Sequence, residues 1–128
     1  MVILVSALHC CMAQEARTLV DDYFAALSAA DLPRILSFLH EDVKVGFVDE
    51  SRNWRGKATA QEKFGLMYSR SPGFRVVAYA ITEEHIEGSI VSLLVEVTFE
   101  SDGKPAWDSV LFYEIDHVDR VILSIEHR

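Results

Sequence analysis

The spacing of the apolar residues changes from a helical period to a strand period along this chain, and that change restricts the folds it can adopt. From residue 14, apolar side chains recur at three- and four-residue steps: Ala16, Leu19, Val20, Tyr23, Phe24 and Leu27. This spacing places them on one face of a helix. After residue 42 the period becomes two, and the alternating apolar residues are Val43, Val45 and Phe47. That alternation is typical of a strand.

Two further helices and four further strands are predicted. Asp31 is placed to cap a short second helix that carries Pro33 in its first turn. Thr59 and Glu62 have capping-box spacing, which predicts the start of a third helix that ends before Pro72. Strands are predicted at 74–82, 89–100, 106–115 and 120–127, and the short turns between them indicate antiparallel neighbours. The order predicts an α+β fold in which helices cover one face of a curved sheet.

Length and charge limit the number of domains and the classes of partner. The chain has 128 residues, which is the usual size of one domain. Its 20 acidic and 12 basic side chains give a formal charge of -8. The molecule as a whole therefore repels phosphate backbones and anionic lipid surfaces. We expect neither nucleic acid nor a membrane as a partner.

The cysteines and histidines do not favour a metal or cofactor site. Cys10 and Cys11 are adjacent, so a bridge between them would be strained and would crosslink no distant segments. We interpret both as free thiols. The five histidines do not occur at HxH or HxxxH spacing, which metal sites on one strand or helix need. We expect no metal and no cofactor.

The first thirteen residues, MVILVSALHCCMA, form an apolar N-terminal extension ahead of a domain at 14–128. The segment is similar to a secretory signal, but no Lys or Arg precedes its short apolar run. It is too short to span a bilayer. We expect it to pack on the domain or on a neighbouring subunit of a cytoplasmic protein, with export as the alternative.

A resemblance to a known superfamily rests on three stretches of the sequence. They are AQEARTLVDDYFAALSAADLPRILSFLHEDV, WRGKATAQEKF and VLFYEIDHVDRVILSIE. Over residues 14–128 the chain resembles the nuclear transport factor 2-like superfamily, in particular its SnoaL-like and ketosteroid isomerase-like branch. The resemblance implies a cone-shaped, curved antiparallel sheet wrapped around N-terminal helices, as in a cystatin-like roll. It also implies a pocket for a small apolar molecule at the wide end and a homodimer formed through the outer sheet face.

The steroid isomerases of this superfamily use a carboxylate base together with a Tyr and a protonated Asp that bind the developing enolate oxygen. Carried over residue by residue, the tyrosine matches Tyr23. The base position falls on Phe47 and the acid position falls on Leu111, so the resemblance does not imply a direct isomerase. A bulge that shifts the register would bring Asp49 or Asp108 inward instead.

The same resemblance implies a set of side chains that line the pocket. They are Tyr23, Phe47, Trp54, Tyr68, Glu96, Trp107, Ser109, Leu111, Tyr113, Ser124 and Glu126. Carboxylates inside an apolar cone would have a raised pKa, which suits a general acid or base. Tyr23, Glu96 and Glu126 are therefore the catalytic candidates. A slip of one residue would place either glutamate on the solvated face instead, and the aromatic residues are equally typical of an ordinary core.

Two classes of function follow. One is a cofactor-independent acid–base enzyme that acts on a small apolar molecule, as an isomerase, cyclase, dehydratase or hydrolase. The other is a non-catalytic, dimeric module that binds a ligand or a protein. The basic residues Arg52, Arg55 and Lys57 are interpreted most simply as a solvated turn, with attraction of an anionic ligand as the alternative.

Overall fold

In a computed structural model, three helices pack against one six-stranded sheet, which contains the five predicted strands and a short one at Trp54–Arg55 that was not predicted. The structure describes the backbone of residues 2–128 and the side chains of residues 11–128. The elements are α1 (Val2–Ser28), α2 (Leu32–Ser37), β1 (Leu39–Gly46), β2 (Trp54–Arg55), α3 (Lys57–Arg70), β3 (Arg75–Glu87), β4 (Ile90–Ser101), β5 (Lys104–Asp116) and β6 (Val121–His127). The α+β class is confirmed.

Helix α1 begins at Val2 rather than near residue 14, so it continues through the boundary expected between the extension and the domain. Its apolar face is buried at the predicted positions, with Ala16 and Val20 fully enclosed. The thiol of Cys11 is free and exposed. The predictions for the side chains of residues 1–10, including Cys10, lie outside the described residues.

The helix starts depend on local backbone chemistry. Asp31 caps α2 as predicted, because its Oδ1 accepts a hydrogen bond from the Arg34 backbone N–H at 3.3 Å. The predicted cap of α3 at Thr59 is wrong. Gly56 is the N-cap instead, with a φ of 98° that glycine adopts readily. Its N–H donates to the Val43 carbonyl at 2.8 Å, so β2 turns directly into the helix.

The sheet has the strand order β2-β1-β6-β5-β4-β3. The strands from β3 to β6 pair with antiparallel neighbours, as the short turns predicted. The prediction of a wholly antiparallel sheet is wrong for one pair, since β1 lies parallel to β6. Parallel strands cannot be joined by a hairpin turn, and here residues 47–120 connect β1 to β6. The curved sheet is not closed, and β2 and β3 form its edges.

The two faces of the sheet differ sharply in β4. Val91, Leu93, Val95 and Val97 are buried and pack in the core with α1, whereas Glu96 is exposed. We call the face that carries the buried valines the concave face and its opposite the outer face. Because strand residues alternate between faces, the pairing partners of these residues in β3 and β5 are assigned to faces in the same way.

A bulge in β6 reverses this alternation. Glu114 lies opposite Ser124 and Ile115 lies opposite Ile122, which leaves Leu123 without a partner in β5. An extra residue of this kind moves all later side chains to the other face. Ile122 and Ile125 therefore both lie on the concave face, and both are buried.

Candidate ligand-binding site at the open end of the concave face

The exposed fraction of the side chains on the concave face of β5 rises from Ile115 toward Trp107. Ile115, Tyr113 and Leu111 are 0%, 1% and 3% exposed, whereas Ser109 and Trp107 are partly exposed. The five residues alternate along one strand, so all of them lie on the same face. The core is therefore packed around Ile115 and becomes accessible toward Trp107.

Strands β1 and β6 show the same gradient. Val45 and Ile125 lie opposite each other and are each 5% exposed. Phe47, the residue after β1, and His127, the last residue of β6, are partly exposed. His127 lies opposite Leu111 of β5, so the accessible parts of the three strands meet at one end of the sheet. We call this the open end and define it by Phe47, Trp54, Trp107, Ser109 and His127.

The side chains at the open end are arranged around the ring of Phe47. The His127 imidazole stacks on this ring with a centroid distance of 4.4 Å and an interplanar angle of 14°. The Arg52 guanidinium also packs over the ring, at 4.8 Å from its centroid. The Asn53 side-chain oxygen accepts a hydrogen bond from the Phe47 N–H at 2.7 Å. The turn after β1 is thereby fixed against the strand.

Two aromatic clusters extend the open end toward α3. Trp54 meets Phe64 of α3 edge-on, with centroids 6.4 Å apart. Tyr68 meets Phe74 at 6.1 Å, and Phe74 in turn contacts Trp107 at 6.0 Å. The helix and the sheet therefore present aromatic walls on two sides of the open end.

His127 is the ionisable group with a perturbed pKa at the open end. Burial lowers its pKa, and the positive charge of Arg52 lowers it further. Both effects disfavour the imidazolium form. Near neutral pH the imidazole is therefore uncharged, and its basic nitrogen is able to accept a proton.

Three tyrosines, two of them in the core and one partly exposed, have raised pKa values. The Tyr23 and Tyr113 rings meet at 6.2 Å, and burial raises both pKa values well above the ordinary range. Burial also raises the pKa of Tyr68 to about 12, and its hydroxyl donates to the Leu27 carbonyl at 2.6 Å. At neutral pH these phenols are hydrogen-bond donors and not bases.

Comparison with known proteins places this architecture in a family. The family model described as a SnoaL-like domain matches residues 20–122. The chain belongs to the SnoaL-like domain family. A comparison with curated protein sequences gives no match.

Solved structures support the SnoaL-like fold. The chain is similar to a nuclear transport factor 2-like protein of unknown function from Shewanella oneidensis MR-1, with 12% identity, a TM-score of 0.77, and coverage of 90% of this chain and 97% of that one. It is also similar to a protein with a ketosteroid isomerase-like fold from Catenulispora acidiphila DSM 44928, solved with trimethylamine, at 12% identity, a TM-score of 0.61 and coverage of 86% and 83%. A cystatin-like protein from Nostoc punctiforme PCC 73102 matches at 12% identity, a TM-score of 0.70 and coverage of 90% and 88%. These likenesses show the fold alone.

Eight of the eleven residues predicted to line a pocket lie in the interior or at the open end of this SnoaL-like domain. Tyr23, Leu111 and Tyr113 are buried in the core. The partly exposed ones are Phe47, Trp54, Tyr68, Trp107 and Ser109. His127 was not among the predicted residues, although it shares a face with Ile125 and lies at the centre of the open end.

The predicted inward orientation of Glu96, Ser124 and Glu126 is wrong. Glu96 lies between Ala80 and Val110 on the outer face, where an ionised carboxylate stays hydrated. The bulge at Leu123 turns Ser124 and Glu126 to the same outer face. The Glu126 carboxylate accepts a hydrogen bond from Arg128 Nε at 3.2 Å. The two glutamates therefore do not form an interior acid–base pair.

The alternative carboxylates Asp49 and Asp108 do not lie inside the cone either. Asp49 Oδ1 accepts hydrogen bonds from the Ser51 hydroxyl and backbone N–H. These bonds, and then the charge of Arg52, lower the pKa of Asp49. Asp108 lies on the outer face, where its Oδ1 accepts from the Thr98 hydroxyl at 2.6 Å. No bulge brings either one to the concave face in the described part of the chain.

The described residues contain no group of three or more His, Cys, Asp or Glu side chains close enough to hold a metal ion. Within the same part of the chain, no helix has the length and apolar character needed to cross a bilayer.

Proposed function

We propose that this SnoaL-like protein binds a small, flat, apolar molecule at the open end of the concave face. The exposure gradient carries the proposal, because aromatic side chains remain accessible at this end while the concave-face residues of β1, β5 and β6 nearer the other end are buried. Burying about 100 Å² of apolar surface on such a ligand contributes about 2.5 kcal/mol. Concave, largely apolar surfaces with a few polar groups are typical of small-molecule sites.

His127 favours an acid–base reaction as the second candidate function. Its neutral imidazole is a proton acceptor at the open end, and Ser109 lies diagonally across β5 on the same face. A substrate that packs against Phe47 and Trp107 would present an acidic C–H bond to this nitrogen, as cofactor-independent isomerisation, cyclisation or dehydration requires. The acid–base proposal therefore rests on His127 and not on a carboxylate.

Intrinsic fluorescence tests binding directly, because the two tryptophans of the chain, Trp54 and Trp107, both lie at the open end. The neutral probe naphthylmethanol should change this fluorescence with saturation. Ser109→Phe fills the open end and should weaken binding about tenfold or more. Val110→Phe is the matched control, because the adjacent residue lies on the outer face. Equal binding by both variants would place the ligand elsewhere.

We also propose that two copies pair through the outer face. Leu94 and Phe112 lie opposite each other there, and Val110 is beside them. Ala78, Ala80 and Glu96 border a neighbouring depression of about 480 Å³ that would accept side chains of a second copy. Native mass spectrometry should show a dimer that Phe112→Glu converts to a monomer. A monomeric parent protein would contradict this pairing.

A further inference from the structure

We propose that Arg52 binds a carboxylate on the ligand, so that the ligand is a flat apolar acid, and that His127 takes up a proton when this acid binds. The inference rests on the proposed binding at the open end and specifies its chemical class. Arg52, which is cationic, and His127, which becomes cationic on protonation, both pack on the ring of Phe47.

Hydrogen bonds within the turn that carries Arg52 join it to the end of β1. The Arg52 N–H donates to the Asp49 carbonyl at 3.0 Å, and the Asn53 N–H donates to the Glu50 carbonyl at 3.1 Å. The Asn53 side chain then joins this turn to the Phe47 backbone. A guanidinium that is already positioned loses less side-chain entropy when it forms two parallel bonds to a carboxylate.

Nearby carboxylates do not occupy the guanidinium. Among the described residues, Arg52 takes part in no salt bridge, whereas Lys57 pairs with Glu41 and Arg128 pairs with Glu126. Asp49 is close enough to feel the charge of Arg52, but its Oδ1 accepts hydrogen bonds from Ser51. The hydrogen-bond donors of Arg52 are therefore available at the edge of the open end.

The charged groups around His127 determine how binding depends on pH. Its two neighbours in sequence, Glu126 and Arg128, pair with each other, and Glu126 lies on the outer face. Among the neighbouring elements, Lys44 of β1 and Asp108 of β5 also lie on the outer face. Arg52 is the charged group that shifts the pKa of His127, and Tyr68 of α3 stays neutral.

A carboxylate bound to Arg52 would offset the positive charge that now disfavours the imidazolium. The pKa of His127 would then rise in the complex, and the protein would take up a proton on binding. Because a proton is taken up on binding, the affinity for an acid should increase as the pH falls from 8. The increase occurs between the pKa of His127 in the complex and its lower pKa in the free protein. The increase is limited to about tenfold per pH unit for one proton.

Two probes with the same aromatic body test this inference. Naphthoate carries the carboxylate, and naphthylmethanol is neutral. Titrations of tryptophan fluorescence at pH 8 and pH 6 should show naphthoate binding about tenfold or more tightly than naphthylmethanol at pH 6. The preference should be smaller at pH 8. Calorimetry of naphthoate in buffers with different ionisation enthalpies should show proton uptake.

Matched variants assign the effect to the two side chains. Arg52→Gln should remove the preference for naphthoate, because it should weaken binding of naphthoate about tenfold or more and binding of naphthylmethanol much less. Arg55→Gln is the control, because Arg55 lies opposite Lys44 on the outer face. His127→Gln should abolish proton uptake. Equal affinity of the unmodified protein for both probes, or equal effects of Arg52→Gln and Arg55→Gln, would overturn this inference alone. Failure of both probes to bind would overturn the proposed function itself.

Discussion

Ile122→Ala should be strongly destabilising, because it removes a side chain from the closed end of the cone. Ile122 is fully buried and lies opposite Leu39 of β1 and Ile115 of β5. The substitution deletes three buried carbons, which corresponds to about 2.4 kcal/mol of lost transfer free energy. A residual cavity of about 50 Å³ adds about 1.2 kcal/mol. The expected loss in the free energy of unfolding is therefore about 3.5 kcal/mol.

Urea unfolding followed by circular dichroism measures this loss, and the melting temperature should fall by about 10–15 °C for a domain of this size. Val121→Ala is the matched control on the same strand, since Val121 is partly exposed and lies opposite Asp116 on the outer face. Its cost should stay below about 1 kcal/mol. A loss of less than about 1 kcal/mol for Ile122→Ala would contradict tight packing at the closed end, on which the exposure gradient depends.

Three further outcomes follow from the placement of the ionisable groups. Glu96→Gln and Glu126→Gln should each change stability by less than about 0.5 kcal/mol at every pH between 5 and 8, and a larger gain near neutral pH would place a carboxylate inside. The lowered pKa of His127 means that the unfolded state binds more protons below about pH 6.5. Between pH 7.5 and pH 5.5 the parent protein should therefore lose a few tenths to about 1 kcal/mol more stability than His127→Gln. All four tyrosines have raised pKa values, so absorbance at pH 11 should detect less than about half a tyrosinate per native chain and about 3.6 in urea.

The presence and order of the helices and of the strands from β3 to β6 could be predicted because each has a strong period, although α1 begins at Val2 and β3 extends to Glu87. The β4 range of 89–100 agrees with the observed Ile90–Ser101 to within one residue. The predicted second helix and its Asp31 cap also match, since the cap residue and Pro33 act locally. The parallel pairing of β1 with β6 could not be predicted from such local signals, because it joins segments that are far apart in the sequence.

The register of β6 could not be predicted from alternation. Val121 and Leu123 are as apolar as Ile122 and Ile125, so either face satisfies the hydrophobic pattern. The bulge at Leu123 becomes visible only through the pairing with β5. The signal for His127 was present in the last residues, where it alternates with Ile125 through Glu126.

For Glu96, by contrast, the sequence alone predicts the correct face of the sheet. It lies between Val95 and Val97, which belong to a continuous apolar series along β4. Simple alternation therefore assigns Glu96 to the outer face, and the structure agrees. The inward orientation came from carrying over positions by resemblance, which is unreliable where the register of the strands differs.

The distribution of ionisable groups between the two faces decides which chemistry the interior can perform. The carboxylates of β4 to β6 lie on the outer face, where water stabilises their charge. Among the side chains that the structure describes, the interior and the open end hold neutral phenols and the uncharged imidazole of His127. Phenols with raised pKa values can donate hydrogen bonds, whereas this imidazole can accept a proton near neutral pH. The kcat/KM of any proton-transfer activity, which reports ionisations of the free protein, should therefore increase through a single ionisation below pH 6.5 and then stay level to about pH 9. A bell-shaped profile with two carboxylate ionisations would require a different site.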